Sequence, residues 1–494
     1  MWRFRTNGSV LRSVALATTS CLWLLAHAGC GGGGSPDAII VLEDFVDSPS
    51  RFGVANARRP IIRWHAVAGA TRYEVDARYG TTDLPVTLQD RVATVDADVP
   101  NEADVDVTVR AIDASSRLIG KDTRRFRVRP VPDWMPALQL ERHEHDAYCG
   151  YRLFNLLDPT TPSSQGRVAC LVLVNCSGEV VWWLERNAIT DMLLARLSPA
   201  GNPIVIERTV DQNLQVTSRA VEYTWSGQEL WSSAPSTLVH HDAGPGPDAT
   251  RMQLTWTFRT VDSVSYEGDG IEVVDSVTGS VLWKWNIFDH FDPAVVVVPE
   301  SKRAGRSFLG QDWSHANSIV WDEARRLIWL CVRNFDTLLG IEYPSGNIAV
   351  SIGKHGFGGD MLLSHPHAPE IQADGSILLF DNGNTRSPAY SSVLHMDFDR
   401  AKQEVRELRR FVDQPSFYDD SLGDADRLPN GNWLVAAGVT GRVFEVAPDG
   451  RVVWDLHIEQ GTRPRWVYRA VQVPPSALTF LPYGPGSLAE CGVK

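Results

Sequence analysis

A short turn followed by an apolar strand recurs along the chain and narrows the folds that it can adopt. Each copy has a polar residue and a glycine at the turn, and four of the copies end on tryptophan. The copies span residues 177–182, 226–231, 278–283, 345–350 and 449–454, and residues 401–405 stand in the place of a sixth copy without its glycine. A second turn-and-strand pattern recurs at 323–329, 374–380 and 430–435. Repeated units that each hold about four strands are typical of propeller blades.

The repeats predict an all-β fold with a six-bladed β-propeller over residues 137–490. A terminal strand at 468–473 would close the ring. No amphipathic helical pattern separates the strands, which argues against a parallel α/β fold.

The segment in front of the repeats reads as a second, smaller domain. Residues 38–130 contain short runs with period-two alternation, which predicts an antiparallel β-sandwich. Trp64, followed by a Gly-Ala-x-x-Tyr-x-Val pattern at 69–75, resembles fibronectin type III-like modules, in which Trp64 would be the core tryptophan. We expect this domain to act as a spacer or to form a homodimer.

The first thirty residues have the layout of an export signal. Arginines precede an apolar run at 14–25, which ends in small residues before Cys30. The pattern resembles a bacterial lipoprotein signal that leaves Cys30 lipidated, although His27 stands where that signal usually has leucine. We therefore expect a signal peptide at 1–30, a glycine-rich tether at 31–37, and anchoring to the periplasmic or outer membrane face. Ordinary cleavage, which would give a soluble secreted protein, is the alternative.

Charge and cysteine content restrict the partners and the cross-links. The net charge of -13 disfavours nucleic-acid binding, which needs a basic surface. Export permits disulfides, but the cysteines beyond the signal are odd in number. We consider two pairings, Cys170 with Cys176 and Cys149 with Cys491. The absence of CxxC spacing excludes a zinc ribbon.

Histidines concentrate between residues 240 and 367. Three groups stand at the same point of their units, just before the predicted innermost strand: His240-His241-Asp242, His315-Ala316-Asn317-Ser318 and His365-Pro366-His367. Because the innermost strands of a propeller converge on its central channel, these groups should form one cluster. The alternative for each histidine is a structural hydrogen bond to a neighbouring loop.

Two arginines follow strands near these groups. Arg333 and Arg386 are placed to bind an oxyanion in the channel, since a guanidinium contacts such groups bidentately. An ion pair between blades is the alternative for either residue.

Several of these motifs together resemble the bacterial arylsulfate sulfotransferases. The resemblance covers about residues 140–485 and is carried by Asp312-Trp313-Ser314-His315-Ala316-Asn317-Ser318, by Arg333, and by His367-Ala368 with Phe380-Asp381-Asn382-Gly383-Asn384-Thr385-Arg386. It implies an exported six-bladed propeller that moves a sulfuryl group from a phenolic sulfate ester to a phenolic acceptor. It also implies a sulfohistidine intermediate, no nucleotide sulfate donor and no cofactor.

The resemblance also implies roles for individual residues. His367 would be the nucleophile, with His365 as the alternative two residues earlier. His315, Asn317 and Arg333 would hold the sulfuryl oxygens. His241, or its neighbour His240, would complete the site. Thr385 stands where the family often has glycine, which bears on substrate range.

Two other functions fit the same residues. A histidine-lined funnel suits a metal ion, as in a metal-dependent propeller hydrolase or lyase. A non-catalytic surface binding protein is the other alternative. The sulfotransferase interpretation expects small aryl sulfates and phenols as partners, a membrane contact through the lipid anchor only, and no metal.

Overall fold

The computed structural model describes residues 46–478, except 49–52, 158–168, 187–189, 211–215, 235–237, 301–302, 304–309, 355, 360 and 461–462. These residues form strands joined by turns and short 3-10 helices, and no α-helix occurs among them. The predicted all-β class is therefore confirmed. Over the same residues, no helix has the length and apolar character needed to cross a membrane. The signal at 1–30, the tether at 31–37 and Cys30 lie outside the described residues.

Two sheets occupy the chain up to residue 128. Their strands are β1 (Val46–Ser48), β2 (Val54–Ala55), β3 (Ile61–Trp64), β4 (Arg72–Tyr79), β5 (Thr82–Leu84), β6 (Val86–Gln89), β7 (Val92–Val95), β8 (Ala103–Ile112) and β9 (Leu118–Val128). One sheet has the order β1-β3-β7-β6 and the other β2-β9-β8-β4-β5. Trp64 is buried in the core that they share, 5.4 Å from the Tyr73 ring. Alternation places every second residue of these strands inward.

The remaining strands begin at residue 137. The first group is β10 (Ala137–His143), β11 (Tyr151–Leu156), β12 (Ala169–Val174), β13 (Val180–Arg186), β14 (Thr190–Leu197), β15 (Pro203–Val210), β16 (Val216–Tyr223), β17 (Glu229–Ser232), β18 (Val239–Pro245), β19 (Arg251–Val261), β20 (Val264–Val274), β21 (Val281–Asn286) and β22 (Gln311–Asp312). The second group is β23 (Ala316–Asp322), β24 (Leu327–Val332), β25 (Thr337–Glu342), β26 (Ile348–Gly353), β27 (Phe357–Gly358), β28 (Pro366–Ile371), β29 (Ile377–Asp381), β30 (Ser392–Asp399), β31 (Glu404–Phe411), β32 (Asp424–Arg427), β33 (Trp433–Ala437), β34 (Arg442–Val446), β35 (Val452–Gln460), β36 (Arg463–Pro464) and β37 (Ala470–Val473).

These strands form six sheets of mainly antiparallel strands among the described residues. The first has the order β13-β12-β11-β37, so the predicted terminal strand completes the sheet by pairing with β11. The others follow chain order as β14–β17, β18–β21, β23–β27, β28–β31 and β32–β35. In the last sheet, β10 also pairs with β35, so β10 and β37, the first and last strands of this region, both belong to sheets formed with distant parts of the chain.

The repeated turn joins the third and fourth strands of each sheet, counted outward. Gly178 and Gly450, for example, have φ of 75° and 93°, which a side chain disfavours. In the copy without glycine, Gln403 takes the same left-handed conformation, with φ of 59°. The sequence repeat therefore marks one hairpin in every sheet.

Neighbouring sheets pack through apolar side chains. A separate cluster of buried residues lies between each successive pair of sheets, and one further cluster joins the last sheet to the first. The strands β14, β18, β23, β28 and β32 contact one another in that order, and β32 also contacts β37 of the first sheet. The strands that begin each sheet are thus brought side by side.

The expected Cys170–Cys176 pairing is wrong, because Cys176 is in a disulfide whereas Cys170 is a thiol. The expected Cys149–Cys491 pairing stays a prediction, because Cys491 lies outside the described residues. Burial raises the pKa of the Cys170 thiol to about 12. Cys170 lies on β12 with its side chain in an apolar cluster, whereas Cys176 lies at the turn that follows this strand.

A buried ion pair joins the first sheet to the last. Arg152 on β11 donates to Glu445 on β34 at 2.8 Å, and both side chains are fully buried. Glu445 also accepts from the Tyr148 backbone at 2.7 Å and from Asn432. The carboxylate therefore connects strands that are almost 300 residues apart in the chain.

We predict that Glu445→Ala lowers the free energy of unfolding by about 3–5 kcal/mol, because it leaves the Arg152 charge buried without its partner. Denaturant unfolding measures the change. Asp98→Ala is the control, since its ion pair with Arg59 is exposed and should matter little. An equal shift in both variants would contradict a stabilising role for the buried pair of Arg152 and Glu445.

Candidate active site

Four of the predicted histidines come together at the starts of consecutive sheets. The His241 ring lies 5.0 Å from His240 and 4.9 Å from His315, measured between centroids. Tyr468 continues the cluster, with its ring 6.2 Å from His241 and 5.3 Å from His367. The structure thus places side chains from β18, β28 and the segments before β23 and β37 around one centre.

One backbone feature recurs where these sheets begin. A non-glycine residue with left-handed φ stands near the start of five sheets: Leu194 (70°), His241 (54°), His315 (52°), His365 (53°) and Leu422 (64°). This conformation is uncommon for side-chain-bearing residues and clusters at functional sites. When residues are counted from this left-handed position in each sheet, His365 is equivalent to His315 and His367 is equivalent to Asn317. His365 and His367 therefore occupy different positions of the repeated backbone.

His315 is oriented by a carboxylate from its own motif. Its Nδ1 lies 2.9 Å from both oxygens of Asp312, which is buried. Asn334 Nδ2 donates to the same carboxylate at 3.2 Å. A carboxylate at Nδ1 keeps the proton there and leaves Nε2 for the site.

Asn317 and Arg333 lie beside this histidine. Asn317 Nδ2 donates to the Pro366 carbonyl at 2.8 Å, while the buried Oδ1 has no partner among the described residues. Arg333 belongs to the 3-10 helix Arg333–Phe335, and its backbone N–H donates to the His315 carbonyl at 3.2 Å. Burial lowers the pKa of Arg333, although Asp312 works in the opposite direction.

The two members of each histidine pair differ in their surroundings. His240 stacks on Trp256 at 5.1 Å and has its Nε2 3.3 Å from Asp269, whereas His241 faces His315. His365 has its backbone N–H on Asp336 and its Nε2 3.9 Å from that carboxylate, whereas His367 faces Tyr468. His241 and His367 are the members whose rings meet the other site residues.

Burial keeps three of the histidines neutral. It lowers the pKa of His240 to about 3 and holds the pKa values of His241 and His367 well below the ordinary value. For His367, the positive charges of Arg469 and Arg333 act in the same direction. A neutral imidazole carries a free lone pair, as a nucleophile requires.

A buried carboxylate beneath the histidines connects three site segments. Asp242 accepts from Ser318 Oγ at 2.9 Å, from the Ile319 backbone at 2.8 Å and from Arg469 at 2.9 Å. Arg469 also donates to Ser318 Oγ at 2.7 Å. Asp242, Ser318 and Arg469 directly follow His241, Asn317 and Tyr468 in sequence. We term Asp242, Ser318 and Arg469 the floor network.

Sequence reasoning missed Tyr468, Arg469, Asp312 and the role of Asp242. Tyr468 is buried, and its hydroxyl donates to the Asn317 carbonyl at 3.3 Å. Its only sequence signal was its place at the predicted terminal strand, which gave no reason to assign a function. Asp312 stood within the quoted motif but had no assigned partner.

Arg386 has structural partners. Its guanidinium contacts the Asp381 carboxylate and donates to the Tyr390 carbonyl at 3.2 Å. Arg410 donates to the same carboxylate at 3.1 Å. These contacts favour the ion-pair interpretation of Arg386, and its role in substrate binding stays a prediction.

We predict that stability falls as pH decreases below about 6.5, the ordinary histidine value. The folded state holds His240 neutral, while the unfolded chain protonates it, so acid favours unfolding until the folded-state pKa of about 3 is reached. Each such histidine contributes about 1.4 kcal/mol per pH unit in this range. Denaturant unfolding between pH 6.5 and pH 4.5 should show a shallower loss for His240→Phe than for the unmodified chain. Identical slopes would refute the assignment.

Comparison with known proteins places the chain in a family. A family model described as Arylsulfotransferase (ASST) matches residues 163–469, which is more than half of the chain. No curated protein matches it. The match includes every histidine of the cluster, together with Asn317 and Arg333.

Solved structures resemble the chain only distantly. A protein of unknown function from Bacteroides caccae is 14% identical, with a TM-score of 0.42 over 66% of this chain and 99% of that one. An auxiliary nutrient binding protein from Bacteroides ovatus is 10% identical, with a TM-score of 0.37 over 89% and 90%. Virginiamycin B lyase from Staphylococcus aureus is 10% identical, with a TM-score of 0.35 over 64% and 87%. TM-scores this low support no argument about this chain. The family match alone identifies it: the chain belongs to the arylsulfotransferase family and is an aryl-sulfate sulfotransferase enzyme.

Proposed function

We propose that the enzyme transfers a sulfuryl group from a phenolic sulfate ester to a phenolic acceptor through a sulfohistidine at His367, without a nucleotide sulfate donor. The observation that carries the proposal is a neutral, buried His367 whose ring lies against Tyr468 and within the influence of the charge of Arg333. Family membership favours catalysis over a binding protein without activity.

In the first step, a lone pair of the His367 imidazole attacks sulfur as the bond from sulfur to the phenolic oxygen breaks. The phenolate leaves with the bonding electrons and takes a proton from solvent. Sulfuryl transfer resembles phosphoryl transfer, in which positioning and charge stabilisation supply most of the catalysis. In the second step, the Nε2 lone pair of His315 accepts the proton of the acceptor phenol, whose oxygen attacks sulfur and releases His367, and His315 then returns that proton to solvent.

The neighbouring donors fit the sulfuryl oxygens. Arg333 supplies a guanidinium, and Asn317 retains a second amide N–H beyond the one given to Pro366. Asp312 fixes the orientation of His315 and leaves its Nε2 for the proton transfers. His241, which lies against His315 and Tyr468, completes the wall, and His240 and Asp269 support it from behind.

The architecture and location that accompany this function are also proposals. The sequence of contacts from β14 to β32, and from β32 to β37, supports a six-bladed propeller over residues 137–490. The two sheets that enclose Trp64 support a fibronectin type III-like sandwich at 38–130. We further propose export, lipidation of Cys30 and a homodimer, which rest on the N-terminal sequence and on the front domain.

We predict that His367→Asn lowers the rate of transfer from p-nitrophenyl sulfate to phenol by roughly 10⁴-fold or more, because the nucleophile is lost. His365→Asn is the matched control, and we expect it to retain transfer within about tenfold, since His365 contacts Asp336 and only borders the site. Release of p-nitrophenol measures both rates, and a thermal melt checks that each variant is folded. If His365→Asn abolishes transfer while His367→Asn does not, the two assignments exchange.

A further inference from the structure

One loop is fastened to the site by several of its side chains. We term residues 417–423 the site loop. Arg333 donates to its Asp420 carbonyl at 3.2 Å, and Asn384 donates to the same oxygen at 2.9 Å. Asn382 donates to the carbonyls of Asp419 and Leu422, both at 2.9 Å. The Asn-Gly-Asn motif that follows β29 therefore holds this loop against the site.

The rear of the site loop is anchored in the core. The Phe417 ring packs 6.2 Å from Phe380 and 5.9 Å from Phe444. The buried Asp419 carboxylate accepts from the Thr440 backbone at 3.0 Å, and its own backbone N–H donates to Ser391 Oγ at 2.9 Å. The residue between Phe417 and Asp419 is thus fixed from both sides.

That residue is Tyr418, whose side chain faces outward. Tyr418 is 42% exposed, whereas its neighbour Phe417 packs into the core and its neighbour Asp419 is fully buried. Burial and Asp420 raise the pKa of its hydroxyl, and the charge of Arg333 works in the opposite direction. In turn, the charge of an ionised Tyr418 raises the pKa of Arg333. Tyr418 therefore stands, partly exposed, two residues from the Asp420 carbonyl that Arg333 contacts.

We propose that Tyr418 is the substrate-binding residue that packs against the aromatic ring of the aryl sulfate and of the acceptor phenol. The inference rests on the proposed function, in which the sulfuryl oxygens bind Arg333. With sulfur held there and His367 buried, we place the ring of the ester against the exposed side chain of Tyr418 on the adjoining loop. An aromatic side chain on an anchored loop provides the flat apolar surface that such a ring needs.

The proposal predicts which kinetic constant changes. Tyr418→Ala should raise KM for p-nitrophenyl sulfate and for a naphthol acceptor by about 3- to 10-fold, with the larger effect on the larger ring. The kcat at saturation should change less than twofold, because the buried reacting groups are untouched. Tyr418→Phe should restore KM, since it keeps the ring and removes only the hydroxyl. A merely structural role would instead lower the amount of active enzyme without dependence on ring size.

Tyr79→Ala is the matched control, because Tyr79 is 40% exposed on β4 of the front sheets. It should leave both KM values unchanged. Unchanged KM values in Tyr418→Ala, or an equal rise for phenol and naphthol, would overturn the assignment of Tyr418. Failure of the proposed function looks different: the unmodified enzyme would then not transfer between phenols, or His367→Asn would remain active.

Discussion

The site depends on one buried carboxylate. Asp242 has no exposed surface, and its Oδ2 accepts from Ser318, from the Ile319 backbone and from Arg469. Arg196 on β14 approaches the same carboxylate at 3.3 Å. Four sheets thus meet at a single charge. A buried carboxylate is costly unless donors surround it, so the position of Asp242 fixes the positions of the groups that donate to it. The residues next to these partners are His241, Asn317 and Tyr468, so the floor network sets the spacing of the site above it.

The same arrangement supplies the electrostatics of the site. Burial opposes the charge of Arg469, but Asp242 and Asp424 outweigh it and raise the pKa of Arg469. A permanent positive charge therefore lies under His367 and, after burial itself, helps to keep that imidazole neutral. Positive charge around the site also suits a sulfuryl group, whose oxygens are negative throughout transfer. One set of contacts thereby favours both the lone pair of the proposed nucleophile and the binding of a sulfuryl group.

The sequence predicted the structural features that recur at regular positions along the chain. The turn repeat identified the hairpin of every sheet, including the copy where Gln403 replaces glycine. The histidine groups were recognised because they share one place in the repeat. Tyr468 and Arg469 were missed because they occur once, at a strand that pairs with the first sheet from more than 300 residues away. The Cys170–Cys176 pairing failed because the two residues are close in sequence but not in space. Cys170 lies on the extended strand β12, which advances about 3.3 Å per residue toward the turn that holds Cys176, so the two sulfur atoms are too far apart to bond.

The central claim depends most on the choice of His367 over His365 as the residue that carries the sulfuryl group. The most direct measurement is mass spectrometry of the peptide that contains both, taken from enzyme mixed with p-nitrophenyl sulfate without acceptor and quenched rapidly in base. We predict one sulfuryl group, located on His367, that disappears when phenol is added before the quench. A peptide that stays unmodified while donor is consumed, or a sulfuryl group on His365, would contradict the account.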